Sequence, residues 1–315
     1  MTFKKILLLF CFALINFFAV AAEAGTTIKL VVPFSPGSSV DNTARAVEKV
    51  LFKELDINTI VEYKLGAGGN IASEYAINDT GRDPVFLITS SSIAINSANK
   101  TAPFNLEKDL VPVAYMGTIP QVLVSSNQFA YKNLRNWSVI PTNTPITFAS
   151  GGVGTGNHLN GVYLKNFSKK NMIHIPYKGA SAMMPDLIGG RVDLAFDFVP
   201  TSQQFIKSGK ITAIAVVSEN RLAELPDTPT FAEVGWSNFG FETWYMIFTN
   251  RNTDPVLVYL VQQALAKTLA DPEKSKPFKE AGLQFTGNDT LVAKETVTKS
   301  VKKYQNYFKK YGYLD

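Results

Sequence analysis

Four short loops carry the residues best suited to chemistry in this sequence: "PFSPGSSVDNTAR" (33–45), "GAGGN" (66–70), "TSSS" (89–92) and "SGGVGTG" (150–156). Each is built from glycines or hydroxyl side chains, and each lies between a short apolar run and a helical stretch. Small residues at such a junction expose main-chain amides at a helix start, and free amides there attract anions. In the first loop Ser38-x-x-Asp41 has the spacing of a capping box, in which a hydroxyl accepts from a first-turn amide and an acidic group answers back. Capping accounts for one serine and Asp41. The bracketing prolines, Gly37 and the second serine go beyond it; they would hold the turn rigid while leaving amides open. Glycines in any single loop can simply supply a tight turn, but the same strand, loop and helix plan recurs four times. In an open α/β sheet such loops collect at the carboxyl edges of the strands, where ligands sit.

Other chemistries find little support. A dinucleotide fingerprint needs a glycine at its sixth place, where this chain has Asn157 in one loop and Ile71 in another, and there is no Gly-Lys-Ser/Thr ending. Only His158 and His174 are available. His174 lies in a strand-like run and reads as packed or surface, whereas His158 follows the fourth loop by helical spacing and could orient it. No Gly-x-Ser-x-Gly elbow or His-Glu-x-x-His motif occurs. Asp193 and Asp197 could touch a hard cation, but the acidic residues lack ligand spacing, so neither metal nor cofactor is expected.

The elements that must position these loops come after an N-terminal segment to be set aside. Lys4 and Lys5 lead into the apolar run Ile6 to Val20 and then Ala22-Glu23-Ala24, the pattern of a secretory signal peptide over residues 1–24. Its apolar stretch is short for a membrane span. Cleavage would remove Cys11, the only cysteine, and take the formal charge from +5 to +4. The remaining chain, roughly 290 residues, can bury enough surface to fold without disulfides. Its lysines scatter except near the end, where Val297, Val301, Tyr304, Phe308 and Tyr311 mark the apolar stripe of an amphipathic helix. No groove-reading motif accompanies the charge, so nucleic acid is not an expected partner.

Strands are expected at 28–32, 59–62, 85–88, 121–125, 146–149, 172–175, 192–196, 211–217 and 242–248. Helical spacing appears at Ala44, Val47, Leu51 and Leu55, and at Val256, Leu260, Ala264 and Leu265. Strands alternating with helices give an α/β fold with substantially parallel sheets. No linker divides the chain, so two domains would share it more than once. The extended stretches near 121–126 and 242–250 are the candidate crossings. They fit a discontinuous first lobe, 25–122 plus 246–315, and a continuous second lobe, 123–245, with a single large open sheet as the alternative.

Five ordered motifs, "VVPFSPGSSVD", "GAGGNIA", "SGGVGTGNHL", "IPYKGASAMMPDLIGGRVDLAFD" and "LPDTPTFAEVG", resemble those of the tripartite tricarboxylate transporter solute receptors, also called the Bug family. The resemblance spans the whole mature chain. It implies a type II-like, Venus-flytrap periplasmic binding protein whose two α/β lobes, each a mainly parallel sheet flanked by helices, close over a small carboxylate. Such a receptor would be a monomer in the periplasm, would deliver its ligand to integral membrane subunits of a transporter, and would catalyse nothing. Carried over residue by residue, the first-lobe contacts are Phe34, Ser38, Ser39, Ala67, Gly68, Ser90 and Ser91. The second lobe supplies Ser150, Gly154, Thr155 and Asp197.

Asp197 either orders a cleft water or favours an amine-bearing ligand, Lys178 is a candidate partner for a second ligand carboxylate, and Trp244 and Tyr245 are candidate cleft walls. Two departures bear on ligand identity: Ser38 stands where the family commonly has a second glycine, and Tyr63-Lys64-Leu65 replaces a common Asn-Arg-Pro. Rival readings are an exported α/β hydrolase or lyase using Asp197 with His158, and a ligand-sensing module of a signalling system. On the receptor reading, Ser39→Ala and Thr155→Val should each weaken ligand binding by about 1 to 3 kcal/mol. Calorimetry reads this directly, and unchanged affinity in both variants would show the site to lie elsewhere.

Overall fold

The computed structural model of the protein describes residues 27–237, 239–285, 290–312 and 314; the expected signal peptide lies outside them. The chain alternates β1 (Thr27–Val32), α1 (Ser39–Leu55), β2 (Asn58–Tyr63), α2 (Asn70–Asn78), β3 (Val85–Ser90) and α3 (Ser92–Ala98), and then runs from β4 (Leu110–Ile119) into β5 (Gln121–Ser126) with no helix between them. It continues through β6 (Ile146–Ser150), α4 (Gly156–Ser168), β7 (Met172–Pro176), α5 (Ala180–Ile188), β8 (Leu194–Phe198), α6 (Val199–Lys207) and β9 (Ile211–Val217). β10 (Thr243–Asn250), α7 (Pro255–Ala270) and α8 (Thr290–Tyr311) complete it.

Two five-stranded sheets result, ordered β2-β1-β3-β10-β4 and β7-β6-β8-β5-β9. In the first, β1 runs parallel to β2 and β3, and β10 runs antiparallel to β3 and β4. The second repeats this plan: β6 is parallel to β7 and β8, and β5 is antiparallel to β8 and β9. The fold is therefore α/β and two-lobed, with one reversed strand in each mainly parallel sheet.

Both faces of each sheet are covered, which is why the strands read as nearly continuous apolar runs. Alternate residues serve opposite cores. Ile28, Leu30 and Val32 enter one cluster while Val31 enters the other; Tyr245 and Ile247 join the first, Trp244, Met246 and Phe248 the second. In the second sheet Leu123 and Phe196 face one core, Val122, Val124 and Ala195 the other.

Sequence reasoning missed β4, because Pro112 and Gly117 interrupt its alternation. The strand tolerates both because it is an edge of the sheet. Its register with β10 slips between Tyr245 and Met246 and again between Ile247 and Phe248, and Gly117 has φ +115. The stripe on α7 also sits differently from its expected place: Val261, Ala264, Leu265 and Leu269 are buried, whereas Val256, Tyr259 and Leu260 are exposed. On α8, Val297, Tyr304 and Phe308 are buried and Tyr311 is exposed.

A buried polar knot joins the two sheets where the chain crosses. Asn160 donates to Gln121 Oε1 at 3.0 Å and to the Phe241 carbonyl at 3.0 Å, and its Oδ1 accepts the Phe241 N–H at 2.8 Å. Gln121 Nε2 donates to Thr243 Oγ1 at 2.6 Å. Asn160, Gln121 and Thr243 are all buried, so a missing partner would leave several groups unsatisfied. Asn160→Ala should destabilise the protein by about 2 to 5 kcal/mol, since each orphaned buried group costs roughly 1 to 3 kcal/mol. Urea unfolding measures this, and a midpoint equal to wild type would show the knot to be energetically idle.

Candidate functional site

β1 and β6, each second from an edge of its sheet, feed the two helices whose first turns meet between the lobes. At α1 the serine cap forms, Asp41 N–H donating to Ser38 Oγ at 3.2 Å, but the answering bond shifts by one residue: Asp41 Oδ2 accepts the Gly37 N–H at 2.8 Å, and the Ser38 amide goes to the Ser35 carbonyl. Asp41 Oδ1 also accepts from the Tyr63 hydroxyl at 2.7 Å. These bonds occupy the carboxylate and fix the turn. The N–H groups of Ser39 and Val40, at the first two helical positions, have no acceptor within the helix.

The second helix start has the same form. Thr155 caps α4 by accepting the His158 N–H at 3.3 Å, and its hydroxyl donates to the Gly152 carbonyl at 2.7 Å. Gly156 and Asn157 then present the unpaired amides of the first turn. The Asn157 side chain is fixed by donating to the Phe196 carbonyl at 2.9 Å.

These two helix starts face one narrow chamber between the lobes. From the first sheet and its helix it is lined by Phe34, Ser38, Ser39, Val40, Ser90 and Tyr245. From the second come Gly151, Thr155, Gly156, Asn157, Gly179, Met183, Asp197 and Phe198. Ser39 Oγ lies 2.6 Å from the Tyr245 hydroxyl. Tyr245 is fully buried, and burial drives its phenol far above the ordinary range, so it stays protonated. With Tyr245 as donor, the Ser39 proton is free to face the chamber.

Phe34, Ser38, Ser39, Ser90, Thr155 and Asp197 thus surround this chamber, and the other residues named from the sequence lie elsewhere. Ala67 and Gly68 line an adjoining recess with Lys178, and the two spaces share Phe34 and Gly151 as walls. Ser91 is buried, with its amide donating to the Trp244 carbonyl at 3.0 Å. Ser150 Oγ accepts the Gly152 N–H at 3.1 Å and sits 2.7 Å from His174 Nε2. Gly154 donates to His158 Nδ1 at 3.3 Å. It also has φ +79, and a Cβ there would overlap the Asn96 side chain of the opposite lobe.

Trp244 and Tyr245 separate by strand alternation. Tyr245 reaches the chamber, whereas Trp244 packs toward α8 and donates to Ser300 Oγ at 2.9 Å. Asn157, Met183 and Phe198 were missed as lining residues. Asn157 had a usable signal, being two residues past Thr155, a residue type that caps helices; Met183 and Phe198 reach the chamber only through tertiary packing.

The histidines hold the fourth loop. The His158 and His174 rings stack with centroids 3.8 Å apart, and Phe148 lies 4.9 Å beyond His174. Burial, reinforced by His174, lowers His158 to about 3, and burial lowers His174 to about 4. Both are neutral at physiological pH, so His158 acts here as an acceptor that orients the loop. Asp193 is engaged structurally, taking the Thr147 amide and hydroxyl, each at 2.7 Å. Among the described residues no group of three or more His, Cys, Asp and Glu side chains is placed to hold a metal, and no helix is long and apolar enough to cross a membrane.

The chain matches the family described as the tripartite tricarboxylate transporter family receptor over residues 43–313. Protein BugT of Bordetella pertussis is 30% identical over 262 residues, which cover 81% of this chain and 80% of BugT. The solved periplasmic binding protein BugD is similar with a TM-score of 0.81 at 28% identity, covering 91% of this chain and 98% of BugD. MatC from Rhodopseudomonas palustris, solved with bound malate, shares the fold with a TM-score of 0.79 at 22% identity over 89% of this chain and 98% of MatC.

Asp197 is the one ionisable carboxyl among the described residues of the chamber wall. It is 1% exposed, and its Oδ2 accepts from Thr201 and Ser202 hydroxyls at 2.7 Å each. Burial pushes it up to about 6, against those hydrogen bonds, which pull it down. The unfolded chain releases this proton at lower pH than the folded one, so ionisation weakens the fold as pH rises from 3.8 through about 6. Between pH 3.5 and 7 the ligand-free wild type should therefore lose roughly 3 kcal/mol relative to Asp197→Asn. Urea unfolding across that range checks it, and parallel pH profiles for the two proteins would place the carboxyl in water.

Proposed function

We propose, from the premise that this chain belongs to the tripartite tricarboxylate transporter receptor family, that it captures a small carboxylate in the chamber between its lobes and presents it to integral membrane subunits of such a transporter. One observation carries the reading: two capped helix starts, one from each lobe, turn their unpaired amides toward a single enclosed space. Helix starts favour negative charge through their dipoles and free N–H groups. Hydrogen bonds to a charged partner contribute about 1.5 to 3 kcal/mol each. The amides of Ser39, Val40, Gly156 and Asn157 supply a gross stabilisation comparable to the roughly 8 kcal/mol of micromolar binding, and the Ser39 hydroxyl helps offset the cost of association.

The lobes are the two sheets with their helices; because β5 lies wholly in the second sheet and β10 wholly in the first, the lobe boundaries expected at 122/123 and 245/246 move to Pro120 and to the stretch before Thr243, and the protein works as a periplasmic monomer exported by its N-terminal segment. Closure brings the lobes into direct contact at several points: Ser35 Oγ meets Ser181 Oγ at 2.9 Å, and Gly282 abuts Pro200 so tightly that a Cβ would overlap the proline ring. The roles of the polar groups support capture without turnover. His158 is committed to the Gly154 amide, and Asp197 Oδ2 to the Thr201 and Ser202 hydroxyls, so among the described residues neither is hydrogen-bonded to a nucleophile in the chamber wall.

Isothermal calorimetry against mono-, di- and tricarboxylates, aromatic acids and amino acids tests the reading, with malate as one arm because MatC carries it. At least one acid should bind with micromolar or tighter affinity and be recovered chemically unchanged. Silence from every acid would remove carboxylate capture, and turnover of the bound compound would restore the enzyme.

A further inference from the structure

The chamber's charge inventory goes a step further and rests on the carboxylate-receptor reading. Among the described residues that line it there is one acid, Asp197, and no lysine, arginine or histidine. The nearby histidines bring no charge, since His158 and His174 titrate only near 3 and 4. Each helix start contributes the equivalent of roughly half a positive charge. Two of them together balance about one carboxylate, and Asp197 already supplies one at pH 8, so a ligand carboxylate rests on amide and hydroxyl donors and a second one has no positive charge left to meet it.

We propose that the chamber selects a carboxylate of at most one net negative charge that carries a hydroxyl or ammonium donor for Asp197, and that it rejects short dicarboxylate dianions. Asp197 reaches the chamber wall from the end of β8 and is held in place by hydroxyl donors on one oxygen. A ligand hydroxyl or ammonium gives it a further donor. A second ligand carboxylate would instead be buried without a counter-charge and beside a like-charged side chain, an arrangement that opposes ionisation of both groups.

Among the described residues a cation is found next door. Lys178 lines the adjoining recess and is exposed to solvent, with Phe34 and Gly151 forming walls common to both spaces. A short diacid seated on the two helix starts therefore gains no buried partner from it. Phe34, Val40, Met183 and Phe198 give the chamber an apolar side suited to the ligand's carbon frame.

Matched acids at pH 8 test this by calorimetry. 3-Hydroxybutyrate and malate share a four-carbon frame and differ by a methyl against a carboxylate; 3-hydroxybutyrate and butyrate differ by the donor alone. 3-Aminobutyrate supplies the ammonium, and 4-hydroxybenzoate against terephthalate repeats the comparison on an aromatic frame. On the frame that binds, the donor-bearing monoanion or zwitterion should be at least tenfold tighter than both the donor-free acid and the diacid. In Asp197→Asn the donor-bearing to donor-free ratio should collapse to within threefold. If that variant does not fold, the wild-type ratios decide alone. A diacid binding as tightly as its monoanionic partner overturns the proposal while leaving carboxylate capture intact, as does a donor preference unchanged in Asp197→Asn. Silence from all of these acids, when another carboxylate binds in the wider panel, overturns it too. Silence across the wider panel removes both readings.

Discussion

The first turn of an α-helix owns amide groups that the helix itself cannot satisfy, and the architecture of this protein is arranged around two such turns. Ser38 and Thr155 occupy one donor each at the starts of α1 and α4. Capping at those positions fixes the turns while leaving Ser39, Val40, Gly156 and Asn157 to face outward. Because the two helices follow the equivalent strands of two sheets with the same plan, their starts meet only when the lobes meet. On the proposed reading, anion recognition and lobe closure are one geometric requirement.

Small residues make that meeting possible. Gly154 approaches Asn96, and Gly282 approaches Pro200, so closely that a Cβ at either position would collide with the other lobe. The crossings resist distortion through a different device. Asn160 engages both main-chain groups of Phe241, much as a strand partner would, and ties them to Gln121. Close steric contact across the cleft and directional bonds at the crossing give the protein a defined closed geometry, in which Phe198 from the second sheet lies edge-on to Tyr245 of the first, with centroids 5.8 Å apart.

Much of this was legible in the residues because local rules governed it. The cap at Ser38, the four loops and the βα alternation all depend on neighbours in sequence. The edge strand β4 escaped because a proline and a glycine break its pattern, features that only an edge position and a slipped register accommodate. The α7 stripe was misplaced because its apolar surplus exceeds what the core covers, leaving Val256, Tyr259 and Leu260 outside. Trp244 and Tyr245 looked equivalent in sequence, yet the pleat sends one toward the chamber and the other toward α8.

The sequence by itself determined the class of fold, the places where amides would be exposed and the scarcity of catalytic groups, since each is a matter of residue type and short-range spacing. Tertiary structure alone decided which hydroxyls were already committed. Ser150 is bound into its own loop beside His174, and Thr155 is occupied as a cap. It also decided that Asp197 would be sealed among apolar and hydroxyl groups with no cation beside it. The charge balance of a cavity depends on which distant segments fold around it and how far each side chain is taken out of water, and neither is a property of any short stretch of chain.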